Sequence, residues 1–129
     1  MSQVRILPLD EGRLRSIARA MRTADAREVF ATRFDDNPDA LARDLTAASR
    51  FGATASIGEK PAAAIGCVEC WPGMWAGWMF ATDDWPAVAR TLTRFARRAL
   101  MPALVDAGAH RCECKSAADN GPAHRWLRH

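Results

Sequence analysis

The first fifty residues carry apolar positions at helical spacing after one short extended segment. Residues 4–9 are predicted to form a short first strand, and Leu14 and Ile17 then fall on one face of a predicted helix. A second short helix is predicted over residues 24–33. A third is predicted to begin at the N-cap Asn37, because an asparagine followed by a proline is a typical helix start.

The pattern changes to strand-like texture from residue 53 onward. Residues 53–58 and 62–71 read as the two arms of a hairpin, and residues 74–81 read as a further strand. A long helix follows, with Val88 and Leu92 on its apolar face.

Two features are predicted to set the limits of this long helix. Either Thr82 or Asp83 is expected to cap its start. Pro102 is expected to end or kink it near residue 101, with a continuation to about residue 107 left open. Gly108 suits a left-handed stop.

The chain then returns to a strand over residues 109–116 and a last helix over residues 123–129. This order of elements predicts an α+β fold (an α/β three-layer arrangement), with a mixed, mainly antiparallel sheet and helices on both faces. The 129 residues suit a single domain, 1–129, and an apolar fraction of 49% is sufficient for a core.

Composition restricts the classes of partner. No apolar run is long enough for a membrane span, and the N-terminus lacks the apolar core of a signal peptide. The net charge of +3 is small, so no nucleic-acid partner is predicted and the arginines of residues 90–98 are interpreted as a solvated helix face.

Four cysteines invite a zinc interpretation, because Cys67 and Cys70 form a Cys-x-x-Cys pair and Cys112 and Cys114 form a Cys-x-Cys pair. Both pairs lie in predicted strands, in which residues three apart point to opposite faces. Reduced cysteines packed in a sheet are therefore favoured, and no metal site is predicted.

The end of the chain, SAADNGPAHRWLRH, places an asparagine, a small residue and an aromatic residue three positions apart, at Asn120, Ala123 and Trp126. In this order of elements the motif resembles the GNAT acyltransferase family. Together with the strand WMFATDDW and the arginine-rich helix, the chain looks most similar to small acetyltransferase-like, internal-virion-associated proteins of short-tailed bacteriophages. That resemblance implies other virion or assembly proteins as partners, and the host cytoplasm or the virion as location.

The resemblance also implies a phosphate-binding loop between the strand and the long helix, where glycines let backbone N–H groups cradle the diphosphate of acetyl-CoA. This sequence has no glycine in residues 81–86 and places Asp83 and Asp84 there. Trp126 occupies the position at which the family usually has a tyrosine general acid, and an indole cannot serve as an acid.

We therefore predict a non-catalytic, degenerate GNAT-like phage protein that acts in virion assembly or structure by protein–protein contact. The alternative is an acyl-CoA-dependent N-acyltransferase, for which acetyl-CoA is the cofactor.

Site residues are carried over from the resemblance. The main chain of Met79, Phe80 and Ala81 is the candidate surface for the pantetheine arm, and Asn120 is a further candidate contact of the cofactor. Glu69 is the candidate general base, with Glu113 as the alternative, and a surface position is favoured for both. Ser116 is the candidate general acid, with His124 as the alternative.

Two more features favour contact with other proteins. GNAT proteins usually continue with one or two strands beyond the last helix, so a sheet edge left open is expected to seek a partner, a second copy included. Trp71, Trp75, Trp78 and Trp85 are expected to crowd one region as interface anchors, although at least two are expected in the core.

Overall fold

A computed structural model describes residues 3–31, 33 and 35–114 of the chain. The elements in this part are, in chain order, β1 (Val4–Pro8), α1 (Glu11–Arg19), α2 (Thr23–Phe30), α3 (Pro38–Ala48), β2 (Phe51–Ile57), β3 (Lys60–Trp71), β4 (Met74–Ala81), α4 (Trp85–Phe95), a π-helical turn (Ala96–Leu100), α5 (Met101–Asp106) and β5 (Arg111–Cys114). The predicted last helix lies outside the described residues.

The strands form one sheet in the order β1-β2-β3-β4-β5. The pairs β1–β2, β2–β3 and β3–β4 are antiparallel. The fourth pair is parallel and joins Met74–Gly77 of β4 to Arg111–Cys114 of β5. The predicted mixed, mainly antiparallel sheet is therefore confirmed.

Helices cover both faces of this sheet. On one face Leu14 of α1 and Leu41 of α3 pack with Phe80 of β4 in one buried cluster. On the other face Val88 and Leu92 of α4 pack with Ala63 of β3 and Trp75 of β4. The predicted three-layer arrangement follows, because each helical stripe buries its apolar side against the sheet.

The caps of the first helical layer are formed by short polar side chains, as the sequence indicates. Asp10 accepts the backbone N–H of Arg13, and Asn37 accepts those of Asp39 and Ala40. The second helix spans Thr23–Phe30, so it ends three residues before the predicted limit at residue 33.

Of the outcomes left open at Pro102, the structure shows the continuation to about residue 107, and the helix does not end at residue 101. The helical path continues through a π-helical turn at Ala96–Leu100 into Met101–Asp106. A proline inside a helix has no N–H and its ring crowds the carbonyl four residues earlier, and a wider π turn ahead of it relieves both problems. The chain then turns at Gly108, whose φ of 84° is the predicted left-handed stop.

None of the helices in the described part of the chain has the length and apolar character that crossing a bilayer requires.

Candidate functional site

The turn from β4 into α4 is short, and most of its backbone N–H groups donate to acceptors within the protein. β4 ends at Ala81 and α4 begins at Trp85, and we call residues 81–85 the corner. Here the N–H of Asp84 donates to Oγ1 of Thr82 at 3.2 Å, and the N–H of Trp85 donates to the carbonyl of Thr82 at 3.1 Å. The N–H of Thr82 donates across the sheet to the carbonyl of Ala62 at 2.8 Å.

The first turn of α4 continues this use of donors. Pro86 has no N–H, and the N–H of Ala87 donates to the carbonyl of Asp84 at 3.0 Å. Among the backbone N–H groups of the described residues 82–87, that of Asp83 is the one without an acceptor. An anion cradle needs several N–H groups that point outward together, and the corner does not supply them.

The cap of α4 differs from the prediction. Asp84, and neither Thr82 nor Asp83, is the N-cap residue, and no side chain accepts a capping hydrogen bond from the first turn. The side-chain hydroxyl of Thr82 accepts the N–H of Asp84, the N-cap residue itself, and not an N–H of the first helical turn. The reason is that the Asp84 carboxylate is directed to Lys60, with Nζ and Oδ2 2.8 Å apart.

The Lys60–Asp84 ion pair changes the electrostatics of the corner. Its hydrogen bond, followed by the charge of Asp84, raises the pKa of Lys60 above the ordinary lysine value. One of the two carboxylates that the sequence places at the corner is therefore neutralised by a cation, and Asp83 is the other. The register of the β3–β4 pair brings the start of β3 beside the end of β4, and the Lys60–Asp84 pair depends on this register.

The ion pair makes a testable contribution at alkaline pH. Because the folded-state pKa of Lys60 is raised, the stabilisation is fully present below the unfolded lysine pKa of about 10.4 and is lost as pH rises through the folded value. Urea denaturation midpoints of the wild type and of Lys60→Gln, measured from neutral pH upward, are expected to converge in this alkaline range. Curves that stay parallel throughout would contradict the pairing.

The main chain of Ala81 is held from the α1–α2 side. Its N–H donates to Oδ2 of Asp25 at 2.9 Å, and its carbonyl accepts the N–H of Arg22 at 2.8 Å. The Arg22 side chain also donates to Oδ2 of Asp25, from Nε at 3.0 Å and from Nη2 at 2.7 Å. Its guanidinium lies over the ring of Trp85, 5.6 Å from the centroid. We call this set of contacts the Arg22–Asp25 clamp.

The Arg22–Asp25 clamp is a part of the site that the sequence did not predict. Asp25 is 3% exposed, although it lies within a helix that the sequence marks only by its apolar residues. An arginine and an aspartate three residues apart at a helix start are the only local signal, and such pairs are common on helix surfaces. The contact with Ala81 spans 56 residues and has no sequence signal.

The other candidates on β4 have different environments. Phe80 is fully buried, stacks on Trp78 with ring centroids 5.4 Å apart, and belongs to the core under α1 and α3. The Thr82–Ala62 hydrogen bond fixes the alternation of the ladder, so the N–H and C=O of Met79 and Ala81 point away from β3. Met79 is therefore the candidate whose main chain faces the β5 side without a contact to the clamp.

The candidate catalytic residues are not brought to the corner by the described part of the chain. Glu69 lies opposite Trp75, six residues of β4 and about 20 Å from Ala81. It is exposed and lies 3.5 Å from Nη1 of Arg50. Ser116 and Asn120 lie outside the described residues, as does Trp126.

The cysteines and tryptophans are spread over the sheet. Cys67 is buried in the core and Cys70 is exposed. Residues 3–31, 33 and 35–114 contain no group of three His, Cys, Asp or Glu residues that could hold a metal ion.

The four tryptophans do not crowd one region, contrary to the prediction. Trp71 pairs with Met74 at one end of the β3–β4 hairpin, whereas Trp85 lies beyond the other end. The prediction that at least two pack in the core is confirmed by Trp75, at 0% exposure, and Trp85, at 7%. Trp71 is 63% exposed and lies beside the two-residue turn that closes the hairpin.

Neither a protein-family model nor a curated protein sequence matches the chain. Several solved structures do. Ard1 from Thermoplasma volcanium is similar over 97% of this chain and 79% of its own, with a TM-score of 0.69 and 12% identity. A GNAT-family acetyltransferase from Bacillus anthracis is similar over 99% of this chain and 79% of its own, with a TM-score of 0.61 and 10% identity. A GNAT-family acetyltransferase from Brucella melitensis in complex with acetyl-CoA is similar over 96% of this chain and 82% of its own, with a TM-score of 0.60 and 11% identity.

These similarities show that the chain has the fold of GNAT acetyltransferases. At such low sequence identity, the similarities are evidence for the fold and not for the activity. The cofactor that the fold implies is acetyl-CoA, whose diphosphate would have to meet the corner. The described residues do not fit that group, because the corner uses its own N–H groups and adds the carboxylate of Asp83.

Proposed function

We propose that this chain is a GNAT-fold protein without acyl-transfer activity, which acts by contact with other proteins. The observation that carries the proposal is the corner itself. The backbone donors that an acyl-CoA diphosphate needs are used by Thr82, Asp84 and Ala62, and the nearest unshared charge is the carboxylate of Asp83. A carboxylate at that position repels a polyanion, while the missing donors remove the compensating attraction.

The Arg22–Asp25 clamp supports the same proposal. A ligand that pairs with the main chain of Ala81 would have to displace a carboxylate that is 3% exposed and accepts three N–H donors. Displacement would leave the Arg22 side chain, which is 13% exposed, without its carboxylate. Breaking a buried pair of this kind is strongly unfavourable, so the clamp opposes entry of a ligand at the end of β4.

Contact with another protein has an exposed candidate anchor in Trp71. Tryptophan is enriched among the residues that carry most of the energy in protein interfaces. Affinity capture with the wild type and with Trp71→Ala, compared under identical conditions, is expected to lose a specific set of proteins in the variant. The setting in a phage particle remains a prediction that comes from the resemblance alone.

An acyl-CoA-dependent N-acyltransferase is the second candidate, and the solved neighbours favour it. One of them is described in complex with acetyl-CoA. In this chain two observations agree with it: Lys60 neutralises Asp84, and the main chain of Met79 is directed to the β5 side. For this candidate to hold, acetyl-CoA has to bind to the main chain of β4 without contacts to the N-terminus of α4.

Thermal unfolding with acetyl-CoA separates the two candidates. A ligand at 100 times its dissociation constant stabilises the folded state by about 2.7 kcal/mol, which is a shift of several degrees for a domain of this size. We expect no shift for this chain at millimolar acetyl-CoA. The Brucella melitensis enzyme serves as the positive control, and a shift of similar size in both proteins would establish the second candidate in place of the first.

A further inference from the structure

The outer surface of the last long helix carries a row of arginines. Arg90 and Arg94 of α4 and Arg97 and Arg98 of the π-helical turn are all exposed, and we call them the arginine row. Residues 85–105 contain no aspartate or glutamate. The four positive charges of this one helix exceed the net charge of +3 of the whole chain.

Several arginines elsewhere in the described residues are paired with acids. On the opposite helical layer Arg15 pairs with Glu11 at 2.6 Å, Arg19 with Asp39 at 2.7 Å and Arg33 with Asp44 at 2.9 Å. In contrast, Arg90, Arg94 and Arg98 form no ion pair with any residue in the described ranges. The helical layer of α1 and α3 is therefore nearly neutral, whereas the outer surface of α4 and the π-helical turn is basic. The small net charge of the whole chain does not show this difference.

The spacing of the arginine row is regular. At a rise of about 1.5 Å per residue, Arg90 and Arg94 lie about 6 Å apart along the axis, and Arg98 lies about 6 Å further. Guanidinium groups bind phosphate oxygens in a bidentate manner and are always charged. A row of this kind matches a ligand that presents several phosphates in succession.

We propose that the arginine row binds the phosphate backbone of a nucleic acid without reading its sequence. A membrane surface fits less well, because a helix that lies on a bilayer inserts its apolar face, and here Val88 and Leu92 on that face are fully buried against the sheet. The proposal is independent of the acyl-CoA question, since the row lies on the solvent side of the helix and the corner lies at its N-terminus. It revises the expectation of a merely solvated face.

Fluorescence anisotropy of a short labelled DNA duplex tests the proposal. Three phosphate contacts, from Arg90, Arg94 and Arg98, predict a slope of about −2.7 in a plot of log affinity against log salt concentration, which is roughly a 40-fold loss of affinity between 50 and 200 mM salt. A labelled single strand of the same length is expected to give a slope of about −2.1. Comparison of the two probes identifies which form of nucleic acid the row prefers.

Charge-removing variants locate the site. Arg94→Gln is expected to reduce the duplex slope by about 0.9, and the double variant Arg90→Gln/Arg94→Gln by about 1.8. The matched control is Arg43→Gln, which removes an exposed arginine from α3 and is expected to leave the slope unchanged. Circular dichroism confirms that each variant retains its helices.

Three results would overturn the proposal. The first is absence of binding to either probe at low salt. The second is an equal loss of slope in Arg43→Gln and Arg94→Gln, because binding would then follow net charge alone. The third is binding to vesicles of anionic lipid that depends on Arg94 while neither nucleic-acid probe binds, since the row would then serve a membrane surface.

Discussion

Replacement of Asp25 by alanine is expected to lower the free energy of unfolding by about 3–5 kcal/mol. The substitution removes the acceptor of the Ala81 N–H and of two Arg22 donors, and leaves the largely buried Arg22 guanidinium without a counter-charge. Urea denaturation followed by circular dichroism measures the loss. An effect of this size is a large share of the stability of a domain of about this length.

Glu69→Ala is the matched control for Asp25→Ala. It also removes one carboxylate with an arginine partner, but Glu69 is exposed and the Arg50 nitrogen lies 3.5 Å away. Exposed pairs contribute about 0–1 kcal/mol, so its denaturation midpoint is expected to stay close to that of the wild type. If the two variants lost equal amounts, the Arg22–Asp25 clamp would not be the buried structural element described here.

Phe80→Ala is expected to destabilise the fold by about 3–5 kcal/mol. Phe80 is fully buried, stacks on Trp78 and contacts the layer of α1 and α3, so its removal leaves a cavity that the surrounding helices fill only in part. The same denaturation experiment measures the effect. Phe80→Leu retains most of the apolar volume and is expected to lose clearly less.

The Phe80 result bears on the site as well as on stability. A residue whose side chain served a bound cofactor would be partly available in the free protein, and its loss would cost little stability in the absence of ligand. A loss of under about 1 kcal/mol in Phe80→Ala would therefore contradict its place in the core. In that case the side chain, and not only the main chain, of β4 would return as a candidate ligand contact.

Much of the fold is predictable because its signals are local. The caps Asp10 and Asn37 have a side-chain acceptor within three residues of the donors, and the strands Lys60–Trp71 and Met74–Ala81 carry continuous small and apolar runs. The path through Pro102 is different. Whether a proline ends a helix or is accommodated by a π turn depends on the packing of the neighbouring turns, here the buried Ala96, Leu100 and Leu104, and not on the proline itself.

The site is less predictable because its determinants are long-range. The sequence shows the absence of glycine at the corner and the presence of Asp83 and Asp84. It does not show that Lys60 neutralises Asp84, which requires the register of the β3–β4 hairpin. The contact of Asp25 with Ala81 requires the packing of α2 against the end of β4, and no pattern within either segment specifies it.

The distribution of charge over the surface also depends on long-range contacts. Counting charges gives +3 for the chain and suggests a mild surface. Only the structure shows that arginines such as Arg19 and Arg33 are matched by acids of α3, whereas Arg90 and Arg94 have no such partner in the described residues. A net charge is a sum, and binding depends on how that sum is distributed over the surface.

The corner has a single unshared backbone donor in its described residues, the N–H of Asp83, and so lacks the set of donors that would bind a diphosphate. A titration of ¹⁵N-labelled protein with acetyl-CoA tests this claim residue by residue. We predict that the amide resonances of Asp83, Asp84 and Trp85 do not shift up to millimolar ligand. Saturable shifts of these three amides, with the largest at Asp83, would contradict the account and would identify the corner as a working coenzyme site.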